Sequence, residues 1–331
     1  MPSLRPQEIV DAVLDAIAQS GEAGAFIPSS PAHPRRFAVD GPGGPTLLWV
    51  YAWTLTPGGR PRLANEYRIQ MTGVRSPLPI NSDGPTLLLG YEPSLGVFAG
   101  FDVSLHRTFT TGSPSVQIDV VSLRQALQDG LAFHRKSNNE IAVAVRPDQL
   151  LAYARNAEAL HRGGRQPATF RALSRVSSLQ PVSAAALEAL GTKRRRLVSV
   201  VARLSRDANF AAQVLAAYGN RCAVTRMQLR LVEAAHILPV AAPNSPDNIV
   251  NGIALSPTYH RAFDSGLIYL DENRVMTVNP RREHLLSGLT LTGGLEALRA
   301  SLGRIHLPAD RQQWPDPRLI RRANTYRRIE I

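Results

Sequence analysis

RCAVTRMQLRLVEAAHILPVAAPNSPDNIVNGIALSPTYHRAFDSGLIYLDENRVM, residues 221–276, is the stretch on which the reading turns. LRLVEAAHI reads as a strand that ends at Pro239 after delivering His236. A loop of Pro, Asn, Ser and Asp follows, and in it Asp247 reads as a turn residue. Asn251-Gly252 is a tight-turn signal, and IAL is a second short strand. Ser256-Pro257 supplies a cap and a first-turn proline for a helix over PTYHRAFD, which Gly266 stops. His260 and Asp264 stand four apart on that helix, so they share a face and can reach one ion. The expected unit is strand, loop, strand, helix. It carries a histidine on the first strand and a His/Asp pair on the helix.

Four motifs of this stretch together resemble the HNH endonuclease family, whose fold is a ββα-metal unit. They are Cys222-Ala223-Val224-Thr225, Glu233-Ala234-Ala235-His236-Ile237, Asn251-Gly252-Ile253-Ala254-Leu255, and His260-Arg261-Ala262-Phe263-Asp264-Ser265-Gly266-Leu267-Ile268. The resemblance implies a DNA endonuclease in which His236 is the general base that activates water. It implies that Asn251 ties the inter-strand loop to the unit and orients His236. His260 would ligate one divalent metal ion, with Asp264 in the place of a second helix ligand. Oxygen and nitrogen ligands with open positions suit Mg²⁺ or Mn²⁺, while Ni²⁺ or Zn²⁺ could also occupy the site. Ala235 stands where many members carry a metal-binding Asp or His; Glu233, or a water, would fill that place. Tyr259 stands where a His is common. No CxxC pairs flank the unit, so packing must hold it together.

Charge points to the same partner. The 331 residues carry a formal net charge of +12, with a sequence pI of about 10.7. From Ala186 onward, 21 Lys and Arg stand against 12 Asp and Glu, an excess of +9. Such an excess favours an anionic partner, with DNA the first expectation. Candidate phosphate contacts are Lys193, Arg194, Arg195, Arg196 and Arg261, and the C-terminal Arg318, Arg321, Arg322, Arg327 and Arg328 add to the excess. The single cysteine, Cys222, excludes an intrachain disulfide and a four-cysteine zinc site, and it reads as a small buried hydrophobe. A reduced, cytoplasmic setting is the expectation. No apolar stretch reaches the roughly 18 residues that a membrane span needs. The first segment carries acids inside its apolar period, which reads as an amphipathic helix rather than a leader.

The fold class read from the whole chain is α+β, with three segments. Residues 1–161 alternate β-rich runs (TLLWVYAWTL, EYRIQMTGV, TLLLGYE, LGVFAGFDV, SPSVQIDVV, EIAVAVR) with helical signals at residues 4–20, at SLRQALQDGLAFH with Ser122 as its cap, and at PDQLLAYARNAEALH. Residues 162–182 lack hydrophobic periodicity and read as a linker. Residues 183–331 open with a helical run, expected to break near Gly191 and Asp207, and continue into the HNH-like unit.

The N-terminal segment has no Gly-rich phosphate loop, no Ser-His-Asp spacing and no Asp…Glu-x-Lys strand pair. Trp49, Tyr51, Trp53, Tyr67, Phe98 and Phe101 lie on or beside strands that also carry Asn65, Glu66, Arg68, Gln70, Asp102, His106, Ser113, Ser115 and Gln117. Such a set serves either a core or the reading of a flipped or modified base. A β-rich reader before an HNH unit resembles the architecture of McrA-like, modification-dependent restriction enzymes. Three functions compete at this point. The first is a restriction or defence endonuclease whose N-terminal domain selects the DNA. The second is a nuclease effector whose N-terminal domain senses a small signal or a protein. The third is a non-catalytic DNA-binding protein with a decayed HNH unit. A homodimer would be the simplest way for one site per chain to cut both strands.

Overall fold

The structure is a computed structural model that describes residues 3–29, 32–41, 44–58, 65–110, 112, 114–229 and 231–329; Ser113 and Arg230 lie outside the described residues. The chain is α+β, and its contacts divide it into two compact units, Met1–Ala208 and Asn209–Ile331. No helix among the described residues is long and apolar enough to cross a membrane.

The first unit is built on a seven-stranded sheet. Its elements in chain order are α1 (Pro6–Gln19), β1 (Ala23–Ile27), β2 (Arg35–Gly41), β3 (Gly44–Thr54), β4 (Thr56–Pro57), β5 (Glu66–Gln70), β6 (Thr86–Glu92) and β7 (Val97–Phe101). There follow α2 (Val103–His106), β8 (Ser115–Asp119), α3 (Val120–Asp129), β9 (Leu131–Arg135), β10 (Ile141–Val145), α4 (Leu150–Gly164), α5 (Pro167–Ser177), α6 (Ala184–Glu188) and α7 (Thr192–Ala217). The large sheet runs β1-β2-β3-β6-β7-β10-β9, and β4-β5-β8 form a second sheet. Neighbours in the large sheet are antiparallel except β3 and β6, which pair in parallel.

Strand alternation explains why its runs are apolar throughout rather than every second residue. Val50, Ala52, Leu87, Leu89, Phe98, Ile141 and Val143 enter one buried cluster with α1, α4 and α5. Tyr51, Trp53, Leu88, Ala99, Phe101, Ala142 and Ala144 enter another with α3 and the small sheet. Both faces are covered. Tyr51, Trp53, Phe98 and Phe101 are therefore core residues and not an exposed base-reading surface. Trp49 is half-buried beneath the Arg36 guanidinium, 4.9 Å from its ring centroid, and Tyr67 is also half-buried. Asp102 forms an ion pair with Arg165 at 2.6 Å, and His106 Nε2 lies 2.7 Å from Glu140 Oε1.

Three local expectations are corrected. α3 is capped by Asp119, whose Oδ1 accepts from the Val121 amide at 2.6 Å, not by Ser122, which is buried. Gly130, at φ +82°, then turns the chain into β9, because β10 offers LAFHR a pairing edge stronger than its helical period. Residues 162–182, expected as a linker, contain the end of α4 and all of α5, which buries Thr169, Ala172 and Leu173. A short apolar stripe among Arg, Ser and Gln escapes a periodicity reading. α7 also runs through the exposed Asp207 without a break, and the division between the two units falls inside it.

The second unit holds β11 (Glu233–His236), β12 (Gly252–Leu255), α8 (Pro257–Asp264), β13 (Ile268–Leu270), β14 (Val275–Val278), α9 (Pro280–Gly288), α10 (Leu295–Ser301), β15 (Gly303–Arg304) and α11 (Pro317–Tyr326). β11 and β12 are antiparallel, in the register Glu233↔Leu255 to His236↔Gly252. β13-β14-β15 form a small sheet. Phe210, Val214, Cys222, Ala235, Ile253, Leu255, Phe263, Ile268 and Ile320 share one buried cluster. The cluster takes the place of zinc staples, as the absence of CxxC pairs requires.

Gly100 in β7 tests the packing of the first unit. A Cβ there would fall on the ring and hydroxyl of Tyr153, which is wholly buried and hydrogen-bonded to His161 Nε2 at 2.8 Å. Gly100→Ala is expected to lower stability by about 1–3 kcal/mol, as overpacking does. The urea midpoint measures it, and an unchanged midpoint would show that the tyrosine can yield.

Candidate active site

β11, β12 and α8 form the expected ββα order; His236 ends β11, Asn251 precedes β12, and α8 carries His260 and Asp264. The His236 ring stacks on Phe210 of α7, with centroids 3.8 Å apart and planes 13° from parallel. Its Nε2 lies 3.1 Å from Asp247 Oδ1. Asp247 is thus more than a turn residue, since it is a polar partner of the candidate base. In the sequence an acid in a Pro/Asn/Ser loop looks like turn chemistry, and its approach to His236 exists only once the loop has closed.

Asn251 closes that loop. Its side chain is fully buried. Oδ1 accepts from the Leu238 amide at 2.8 Å, while Nδ2 donates to Pro246 O at 2.9 Å, to Leu238 O at 3.2 Å and to Ser245 Oγ at 3.2 Å. The Asn251 carbonyl also accepts from the Ile237 amide at 2.8 Å. The Asn-Gly pair is therefore not a hairpin turn. Ile249–Asn251 is a single 3₁₀ turn, and Gly252, at φ −115°, opens β12. Gly252 is needed because a Cβ would strike the Val214 side chain.

On α8, Ser256 occupies the cap position without a side-chain cap bond, and Pro257 follows it. His260 Nδ1 donates to Glu233 Oε2 at 2.6 Å, and its Nε2 lies 3.3 Å from Asp264 Oδ2. The hydrogen bond to Glu233 and the charges of both acids raise the imidazole's pKa above its ordinary value, against the effect of burial. Glu233, His260 and Asp264 are thus brought together, with Glu233 beside the histidine as its spacing allowed. The two carboxylates take different ring nitrogens, so three donors do not converge on one point. Among the described residues no group of three or more is placed to hold an ion. The donor chemistry nonetheless fits a divalent cation: one imidazole and two carboxylates, whose side chains are 49% and 60% exposed and can turn. His236 stands at the other end of β11 from Glu233, and no hydrogen bond links it to His260 among the described residues.

The sequence gives little sign of Arg327. Its Nη1 donates to Ile237 O at 2.6 Å, and its guanidinium lies over the Phe263 ring at 4.6 Å. Burial lowers its pKa. It fastens the exit of β11 to α8. The other C-terminal arginines are also largely structural: Arg318 pairs with Asp316, Arg321 with Glu272, and Arg322 donates to Pro243 O. Tyr259 donates to Ser301 Oγ at 2.6 Å, and Cys222 is a buried free thiol. Arg261 is exposed on α8. Lys193, Arg195 and Arg196 are exposed on the first turns of α7, where Arg194 is half-buried.

Asn251→Ala would strip the buried Leu238 amide of its partner and release the loop. A cost of about 3 kcal/mol is expected, at the upper end for a buried donor left unsatisfied. Chemical denaturation measures it, and a loss below about 0.5 kcal/mol, the low end for a single hydrogen bond, would deny the strap its importance.

Residues 222–271 match the family model described as HNH endonuclease, and residues 47–154 match the one described as Methylase-associated X1. Among solved structures, the chain is 14% identical to a "Modification dependent TagI restriction endonuclease", over 83% of this chain and 80% of that one, with a TM-score of 0.30. That overlap is too slight to bear on the reading. No curated protein matches the chain. With its motifs in the ββα order and residues 222–271 matched by the family model, the C-terminal unit carries an HNH endonuclease domain.

Proposed function

We propose that the protein is a DNA endonuclease of the restriction or defence type, in which the HNH unit cuts and the N-terminal unit selects the target. The observation that carries the cutting half is the environment of His236. The ring ends β11, is held on one face by Phe210 and on one edge by Asp247, and follows a strand whose exit is strapped by Asn251. A neutral imidazole held in this way takes a proton from water as the water oxygen attacks phosphorus. His260, Asp264 and Glu233 would hold a divalent ion, Mg²⁺ or Mn²⁺ by donor hardness. When bound, such an ion neutralises charge on the phosphate and the leaving oxygen. Arg261, exposed on the same helix, is a candidate phosphate contact.

Lys193, Arg194, Arg195 and Arg196 stand at the positive end of the α7 dipole, where cations are unfavourable by about 0.3–1 kcal/mol each. Among the described residues none of the four forms an ion pair with an acid. A phosphate backbone would relieve that repulsion, which supports DNA contact there. The match of residues 47–154 to a methylase-associated family supports a role for the N-terminal unit in reading DNA modification. Cutting both strands favours a homodimer, and a cytoplasmic setting suits this work.

A plasmid digestion tests the proposal, run with and without Mg²⁺ on methylated and unmethylated DNA. Cleavage should need the ion and depend on the methylation state. His236→Ala should lose about 10²–10⁴-fold in rate while still binding DNA. A wild-type rate in that variant would remove His236 from the chemistry, and indifference to methylation would favour the sensor reading of the N-terminal unit.

Calorimetry with Mn²⁺ addresses the ion separately. It should show about one site per chain, lost in the His260→Ala/Asp264→Ala double variant, because the i, i+4 pair supplies two of its ligands. An unchanged isotherm would place the ion elsewhere.

A further inference from the structure

Asp247 has no assigned part in the reaction, yet among the described residues its carboxylate is the polar group within hydrogen-bond distance of the His236 ring. We propose that Asp247 is a positioning residue that keeps the His236 proton on Nε2 and leaves Nδ1 as the nitrogen that works on water. The proposal rests on the reading of His236 as the general base.

The argument starts from what a carboxylate can do. An ionised carboxylate only accepts hydrogen bonds. At 3.1 Å from Asp247 Oδ1, Nε2 must therefore be the nitrogen that carries hydrogen in the neutral ring. The lone pair then belongs to Nδ1. Without a partner the two neutral tautomers would be close in energy, and part of the population would present a proton where an acceptor is needed.

The arrangement is built rather than incidental. Phe210 lies flat against the ring at 3.8 Å, which fixes its plane while Asp247 fixes its edge. Asp247 is itself anchored through its chain neighbours. Pro246, the residue before it, accepts from Asn251 Nδ2, and Ser245 Oγ donates to Leu238 O at 2.7 Å. Leu238, two residues after His236, donates its amide to the same Asn251 side chain. One buried asparagine thus grips the chain on both sides of the pair and sets the distance between them. The residue that the family resemblance credits with orienting His236 does so, on this geometry, by way of Asp247.

The chemical step balances as follows. The water oxygen forms its bond to phosphorus while one water proton passes to Nδ1. The ring becomes an imidazolium whose Nε2–H still points at Asp247, and the carboxylate stabilises that charge. The P–O ester bond breaks, and the departing oxygen takes a proton from solvent. Asp247 gains and loses nothing.

The experiment compares Asp247→Ala and Asp247→Asn in the full chain, with plasmid cleavage and ¹⁵N-histidine spectroscopy as readouts. His236→Gln identifies the His236 signals. Wild-type protein should show His236 with hydrogen on Nε2. Asp247→Ala should lose about 10–10²-fold in kcat, about twofold from the tautomer mixture and the rest from the lost charge-assisted hydrogen bond to the imidazolium, with KM for DNA changed by less than about threefold. Its His236 signals should move towards a tautomer mixture. Asp247→Asn keeps an oxygen able to accept from Nε2 and should recover about two- to tenfold of that loss, in line with the strength of one neutral hydrogen bond. Wild-type kcat in Asp247→Ala, or hydrogen on Nδ1 of His236 in the native protein, would overturn the proposal. Should Asp247→Ala fail to fold, Asp247→Asn and the native tautomer decide it alone. Wild-type cleavage by His236→Gln would instead strike the general-base reading, and the tautomer measurement would still report whether Asp247 sets the ring.

Discussion

The buried side chain of Asn251 is the constraint on which the catalytic unit depends. It makes four hydrogen bonds to the loop between β11 and β12, two of them to the backbone of Leu238. A loop of that length carries many main-chain groups that water would otherwise satisfy, and a buried amide able to donate and accept can serve several at once. The result is a loop with one geometry. His236 enters it from the end of β11, Asp247 stands just before its close, and β12 begins at the residue after Asn251. An aspartate at 251 would turn the donor end of that network into an acceptor facing the carbonyls of Leu238 and Pro246.

Charge divides into two kinds. The C-terminal arginines count towards the net +12, but most are occupied: Arg318 and Arg321 in ion pairs, Arg322 and Arg327 on backbone carbonyls. Arg327 is the most consequential of these, since it joins the residue after His236 to the ring of Phe263, the residue before Asp264. The basic cluster at the start of α7 is the other kind, three of its four side chains exposed and all held at the end of the helix dipole that disfavours them. Net charge alone does not distinguish structural arginines from those available to a phosphate backbone.

The first unit follows another rule. Its central strands are covered on both faces, so successive residues of β3, β6, β7 and β10 go to different clusters and all are apolar. Most of the aromatics there serve the core, and two of its buried acids are ion-paired, Asp102 with Arg165 and Glu140 with Lys136. A role in reading DNA would fall to the surface of this unit rather than to the aromatic interior of its sheet.

By itself the sequence determined the ββα order, because capping signals, strand composition and i, i+4 spacing are local and need no partner. It determined that His260 and Asp264 share a helix face, and it carried the motifs that identify the HNH unit. It also determined the apolar strand runs of the first unit. Tertiary structure decided what depends on distant residues meeting. Asp247 reaches His236 across eleven residues, Phe210 reaches it from α7, and Arg327 reaches Ile237 from ninety residues away. LAFHR became a strand because β10 lay beside it, and α5 became a helix because its Ala and Leu found a buried face. Hydrogen bonds and packing between remote segments leave no periodic trace in a chain, and that is why the partners of the candidate base emerged only from the fold.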